Sequence, residues 1–240
     1  MKYLITLSYD GSKYHGFQRL CSKKTVQGEI EKALTIINKT KVEIKGAGRT
    51  DRGVHAYGQR AHFELDINIP PENLIRALNG ILKKSIFISN CEIVDKMFHA
   101  RHDVKEKEYC YHISLGEYDP LCNDYMLQLD YDLDIKKIKK VAKLFLGIHN
   151  FKKFVSGYRE SYNAIIYDIW FEEVNNVLLI HFKGKSFYRY MIRNLVGALL
   201  EIGRGKIEES DIIKLLENPD ADVTVPTAPA NGLYLMHITY

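Results

Sequence analysis

Two hydrophobic periods alternate along this chain. Runs with the two-residue alternation or the β-branched and aromatic content of strands occupy 3–9, 42–47, 56–65, 86–94, 108–115, 162–173, 177–183 and 233–239. In Ala61-His62-Phe63-Glu64-Leu65 the alternation is strict, as for a half-buried antiparallel strand. Asn175-Asn176 separates two such runs and predicts a two-residue hairpin, because Asn tolerates positive φ. A helical period takes over in between. Val26, Ile30, Leu34 and Ile37 form one stripe behind Thr25 as N-cap. Pro71 suits a first turn ahead of Leu74, Ile75, Leu78 and Leu82. Asp134 opens a helix with Ile135, Ile138, Ala142 and Phe145 on one face and Gly147 as its stop. The most apolar helix is predicted over 188–203, with Arg189 and Arg193 four apart on a shared face, and a short surface helix over 210–216. Hairpins rather than repeated βαβ units predict an α+β fold with a mainly antiparallel sheet. The polar stretch 115–133 divides the chain into halves at 1–115 and 116–240.

Composition changes this picture only locally. The 240 residues are 46% hydrophobic and 27% charged, and the formal charge of +4 permits a polyanionic partner. Between His181 and Leu200 stand Lys183, Lys185, Arg189 and Arg193 with no acidic residue, and Phe187, Tyr188 and Tyr190 are interleaved. Cations neutralise phosphates and aromatic faces stack on unpaired bases, although Phe187 is expected to pack inward. Acidic residues gather over 208–222, read as a solvated face away from RNA. The cysteines at 21, 91, 110 and 122 form no C-x-x-C pair, and no signal peptide or membrane-length apolar run is present. These features predict reduced thiols in a cytoplasmic protein. Cys91, His99, His102 and Cys110 match no usual zinc spacing, so no metal is expected. With no dinucleotide or P-loop motif, neither is a nucleotide cofactor.

The chemistry concentrates in Gly46-Ala47-Gly48-Arg49-Thr50-Asp51-Arg52-Gly53-Val54-His55-Ala56, a loop between two predicted strands. Gly48 and Gly53 can supply positive φ, and Arg49 and Arg52 flank Asp51 closely enough to favour its ionised form. An oriented carboxylate is suited to nucleophilic or electrostatic work at an electron-poor carbon.

This loop resembles the GRTDxGVHA signature of the tRNA pseudouridine synthase A (TruA) family, and further elements follow in family order. Tyr9-Asp10-Gly11-Ser12-Lys13-Tyr14-His15-Gly16-Phe17-Gln18-Arg19 is similar to YDGxxYxGWQ, and Thr25-Val26-Gln27-Gly28 opens the next helix. Phe98-His99-Ala100-Arg101 and Lys107-Glu108-Tyr109-Cys110-Tyr111 resemble FxAR and [RK]xYxY. The likeness continues through 187–197 and 227–235. It implies two related α/β halves whose strands form a largely antiparallel mixed sheet, with helices on one side and a central active-site cleft. It also implies a homodimer acting on tRNA without cofactor or metal, isomerising uridines at positions 38–40 of the anticodon stem-loop.

In that light Asp51 is the catalytic nucleophile, and Arg49 holds the displaced backbone or fills the vacated space. Tyr109 stacks on the flipped uracil beside Lys107, with Tyr111 as its structural neighbour on the strand. Arg193 resembles the arginine that pairs with the catalytic carboxylate. Lys183, Lys185 and Arg189, together with Lys13 and Arg19, are candidate RNA contacts. The chain departs from the pattern at Asn163-Ala164, where an arginine is usual, and at Asn150-Phe151, where Asp-Phe is usual. Two other readings stay open: a paralogue acting on another RNA such as ribosomal RNA, and a non-catalytic RNA-binding protein. A small-molecule N-ribosyl hydrolase ranks below both, since it predicts an enclosed neutral pocket.

Overall fold

Tyr3, Leu4, Ile5, Leu7 and Tyr9 all point into the interior from the first strand, as its apolar run predicts. The computed structural model describes residues 1–82 and 84–240, which form two units: Met1–Lys105 with Tyr234–Tyr240, and Glu106–Leu233. From the N-terminus the elements are β1 (Lys2–Tyr9), α1 (Val26–Asn38), β2 (Lys45–Gly46), β3 (His55–Glu64), α2 (Pro71–Ile81) and β4 (Ile86–Ile93). Then come β5 (Glu106–Ser114), β6 (Leu127–Gln128), α3 (Ile135–Ala142), β7 (Gly147–Asn150) and β8 (Asn163–Val174). The chain closes with β9 (Val177–Gly184), α4 (Met191–Gly203), α5 (Glu209–Glu217) and β10 (Leu233–Thr239). The strands are mostly antiparallel and the fold is α+β.

The division falls ahead of the polar 115–133 stretch, so the expected halves 1–115 and 116–240 are displaced. Strand pairing is the reason. β5 is laddered antiparallel to β9 along its length, from Lys107↔Gly184 to Ser114↔Val177, which commits 106–114 to the second unit. The C-terminal strand β10 pairs parallel with β3 through Tyr234↔His55 and Leu235↔Ala56, which returns it to the first.

In the first unit β1 lies between β3 and β4, antiparallel to both, with Ile5 opposite Ala61 on one side and Cys91 on the other. The expected strand at 42–47 shrinks to Lys45–Gly46 because helix α1 takes its backbone groups. Val42 N–H donates to Thr35 Oγ1 (3.3 Å) and Ile44 N–H to Glu31 Oε1 (3.1 Å), while Ile44 C=O accepts from Gln27 Nε2 (3.3 Å). Once these donors are satisfied by side chains, a strand ladder offers them nothing. Thr25 caps α1 as predicted, accepting from Gly28 N–H. His62, on the polar side of a strictly alternating strand, is nevertheless buried. Its Nδ1 accepts the N–H of Ala100 (3.0 Å), and the rings of Phe98 and His99 meet it edge-on. Burial, with His99 nearby, pushes the His62 pKa down to about 4.

In the second unit β5-β9-β8-β7 run antiparallel, β6 adds to β5 in parallel, and α3 packs on α4. The β8–β9 hairpin turns through Asn175 and Asn176 at φ 51° and 60°, the left-handed pair its sequence predicts. Strands β6 and β7, two and four residues long, have no apolar face and carried no periodic signal. The apolar helix α4 begins at Met191 instead of 188, because Tyr190 adopts φ 65° and the residues before it form a turn, Met191 N–H to Tyr188 C=O at 3.1 Å. Arg189 therefore does not share a helix face with Arg193. The acidic stretch is partly neutralised within the unit: Glu208 and Glu209 pair with Lys137 and Lys140 of α3, and Asp220 pairs with Lys152. Among the described residues no helix is long and apolar enough to cross a membrane.

Candidate active site

Asp51 stands half-buried at the crest of a loop that is anchored on both sides. The turn itself is closed by Val54 N–H donating to Asp51 C=O (3.2 Å), with Gly53 at φ +84°, a conformation that needs glycine. Thr50, one residue earlier, is held twice: its C=O accepts from Phe17 N–H (3.1 Å), and its Oγ1 lies 2.8 Å from the buried Tyr9 hydroxyl. Burial pushes the Tyr9 phenol up to about 12, so it serves as a neutral hydrogen-bonding group. Gln59, fully buried on β3, donates to Gly48 C=O (3.1 Å) and fixes the other arm of the loop.

The segment that follows β1 clamps the far side. Gly11 N–H donates to His55 Nδ1 (3.1 Å), and a Cβ at Gly11 would stand 2.0 Å from Val54 O, so only glycine permits this approach. His55 is buried and stacks on Tyr234 of β10 at 4.6 Å, which in turn stacks on Tyr57. A nitrogen that accepts a backbone N–H bears no proton, so His55 works here as a fixed acceptor. The sequence offered a signal for it, since it lies in the same motif as Asp51, but a lone histidine carries no clue to its tautomer or stack.

Arg49 and Arg52 are both exposed beside Asp51. A further cation was missed. Arg101, exposed in the Phe98-His99-Ala100-Arg101 element, has its pKa lowered by partial desolvation and by the charge of Arg49. Its element is pinned by His62 and by the Tyr240 hydroxyl, which donates to Ala100 C=O (2.8 Å). Lys13 is exposed at the end of a short 3-10 turn over Gly11–Lys13. Arg19 is bound to Glu31 at 2.9 Å and Glu43 at 3.3 Å, so two carboxylates already compete for it.

The remaining candidates lie in the second unit. Tyr109 is buried on β5 with its ring edge-on to Phe187 at 5.4 Å, and Lys107 is half-exposed on the same strand. Phe187, expected to pack inward, is half-buried ahead of α4 and lies against Gly184 and edge-on to Tyr109. Tyr111 is fully buried and its hydroxyl donates to Pro229 C=O (2.8 Å), a structural role. Arg193 Nε donates to Ala228 C=O (2.7 Å), the Ala228 N–H returns to Arg193 C=O (3.0 Å), and the guanidinium lies 4.9 Å over Tyr190. Arg189, though off the helix, sits over the same ring at 4.9 Å. Lys183 is ion-paired with Glu106 at 2.9 Å, whereas Lys185 is exposed. At the departing positions, Asn163 C=O accepts the Tyr188 hydroxyl, Asn150 caps Lys152 N–H, and Phe151 is core.

A half-buried carboxylate on an anchored turn, flanked in sequence by exposed arginines, with a separate set of guanidiniums stacked on tyrosines, is suited to sugar chemistry on a phosphate-bearing polymer. Residues 5–103 and 141–240 match the family model described as tRNA pseudouridine synthase. The chain belongs to that family. It is 40% identical to the tRNA pseudouridine synthase A of Listeria monocytogenes over 245 residues, covering 100% of this chain and 99% of the relative. Against the enzyme of the same name from Anoxybacillus flavithermus it is 37% identical, covering 98% and 97%, and against that of Bacillus subtilis 36%, covering 100% and 99%. This pseudouridine synthase is thus an isomerase, converting uridine to pseudouridine within RNA.

Proposed function

We propose that the enzyme modifies uridines at positions 38–40 of the tRNA anticodon stem-loop, with Asp51 as the catalytic carboxylate. The observation that carries this reading is the doubly anchored Thr50-Asp51 turn, which fixes the backbone of a half-buried Asp51 whose neighbours Arg49 and Arg52 are exposed. Detaching uracil leaves the sugar carbon electron-poor, and a carboxylate held there forms an adduct or steadies the charge. The base must first leave its stack. Arg49 then holds the displaced backbone or fills the gap, and Tyr109 receives the uracil face, supported by Phe187 and beside Lys107. Arg193, its orientation set by Ala228 and Tyr190, is assigned to the same reaction as a charge-stabilising group. Lys13, Lys185 and Arg189 serve phosphates. Arg19 and Lys183 join them on leaving their carboxylates. The enzyme acts as a homodimer in the cytoplasm, which molar mass in solution by light scattering and cell fractionation check.

Release of tritium from C5-labelled uridine in tRNA tests the whole reading. Turnover of anticodon stem-loop uridines, lost in Asp51→Asn, is the expected result. Activity on a ribosomal fragment alone would overturn the substrate assignment while leaving the isomerase chemistry standing.

A further inference from the structure

In the second unit a cation–aromatic ladder joins residues 188–193 to Arg159, which lies in none of the motifs used above. The guanidinium of Arg159 sits 4.6 Å over the ring of Tyr188, whose hydroxyl is tied to Asn163 C=O at 2.8 Å. One residue on, Arg189 lies over Tyr190, and Arg193 over the same ring, each at 4.9 Å. Two tyrosines thus carry three guanidiniums. The loop that delivers Arg159 is fastened to this ladder: Ser156 N–H donates to Arg189 C=O (3.1 Å), and the Tyr162 hydroxyl accepts Arg159 N–H (3.1 Å) and donates to Gly157 C=O (3.3 Å). Next to Arg159, Tyr158 is 90% exposed.

Two features of this loop point to a ligand. The Arg159 Nε is buried with no hydrogen-bond acceptor among the described residues, so a ring face holds this side chain at the cost of an unmet N–H. The Tyr158 ring offers its faces to solvent from a backbone already fixed by neighbouring hydrogen bonds, which lowers the ordering cost of stacking. Glu160 is the one acidic side chain over 151–163, and it is exposed. Planar cations stacked on rings beside an open aromatic face fit single-stranded RNA, whose bases stack and whose phosphates accept forked N–H pairs.

We infer that Tyr158 and Arg159 form an additional RNA contact, with Tyr158 stacking on an unpaired base and Arg159, beside Arg189, gripping a flanking phosphate. This rests on the reading of the chain as an RNA isomerase. Both residues are assigned to binding and not to the chemical step.

The test measures kcat and KM by tritium release from full-length tRNA, with affinity by filter binding, for Tyr158→Ala, Tyr158→Phe, Arg159→Ala and Arg159→Lys. Tyr158→Ala and Arg159→Ala should each raise KM and Kd by about tenfold with kcat within about twofold, since one stacked base or one phosphate contact is worth that much. Tyr158→Phe should keep wild-type values, and Arg159→Lys should recover only part of the loss, because a lysine keeps the charge but not the planar stack. In Tyr158→Trp, added tRNA should quench the new indole emission beyond that of native Trp170. Unchanged KM and Kd in both alanine variants, with active wild type alongside, would overturn the inference. So would altered oligomeric state with unaltered RNA affinity, which would assign the loop to a protein contact. Failure of the wild type itself to modify tRNA would strike the proposed substrate instead.

Discussion

Replacing Thr50 by Val removes one hydroxyl and keeps the shape of the side chain next to Asp51. The Tyr9 hydroxyl, 2.8 Å from Thr50 Oγ1, is left in the interior with Gln59 Nε2 at 3.5 Å as its remaining neighbour. A buried hydroxyl stripped of a partner costs about 1–3 kcal/mol. For a protein of this length each kcal/mol lowers Tm by roughly 2–4 °C, so a fall of about 2–12 °C is expected. Phe17 N–H still holds the Thr50 carbonyl, so the loop persists but loses its side anchor. A carboxylate displaced by about 1 Å loses up to roughly a hundredfold in rate, so kcat should drop by about tenfold or more while KM for tRNA stays within a few-fold. The diagnostic step is the double variant. Tyr9→Phe with Thr50→Val makes both partners apolar, and stability should return to within about 1 kcal/mol of wild type, giving a clear coupling energy in the cycle. The assays are thermal unfolding followed by circular dichroism and tritium release under saturating tRNA. A single variant melting within about 1 °C of wild type, or a double variant showing the plain sum of two losses, would refute the anchoring role of this pair.

Asp51→Asn should abolish pseudouridine formation while tRNA affinity stays within a few-fold, since one carboxylate contributes little to phosphate binding; more than trace turnover would remove Asp51 from the chemistry. Tyr109→Ala should lose stacking worth roughly 1–3 kcal/mol, whereas Tyr109→Phe should bind normally, and wild-type rates in both would return this tyrosine to a structural role. Lys185→Ala and Arg189→Ala should each reduce the log–log slope of affinity against salt by roughly 0.7–0.9. Lys183→Ala should reduce it less, because Lys183 is paired with Glu106; equal effects at all three positions would contradict that. His62 titrates near 4 in the folded chain against an ordinary 6.5, so between those values the unfolded chain binds more protons and stability falls as pH is lowered. His62→Gln keeps an acceptor for Ala100 N–H and should flatten urea midpoints across that window, leaving a weaker slope from His99, whose pKa is lowered too; an unchanged slope would clear His62.

Much of this molecule was legible in the chain because its signals are local. Thr25 before a helical stripe, Pro71 at a first turn and Asn175-Asn176 between strands act over a few residues, and each element formed where the pattern places it. The motif around Asp51 likewise identified the family and the reaction. What periodicity could not decide depends on partners distant in sequence. Strand 42–47 yielded to side chains of α1, His62 was covered by a segment 38 residues further along the chain, and 188–190 turned aside from α4 through one left-handed tyrosine. The same holds at the site. Arg19 reads as a free cation until Glu31 and Glu43 are seen beside it, and Arg159 reads as an ordinary loop residue until its guanidinium is found on Tyr188. Sequence determines which groups are available and which backbone states are cheap; tertiary packing decides which of them meet, because hydrogen-bond and charge partners are chosen by proximity in space, where spacing along the chain has no say.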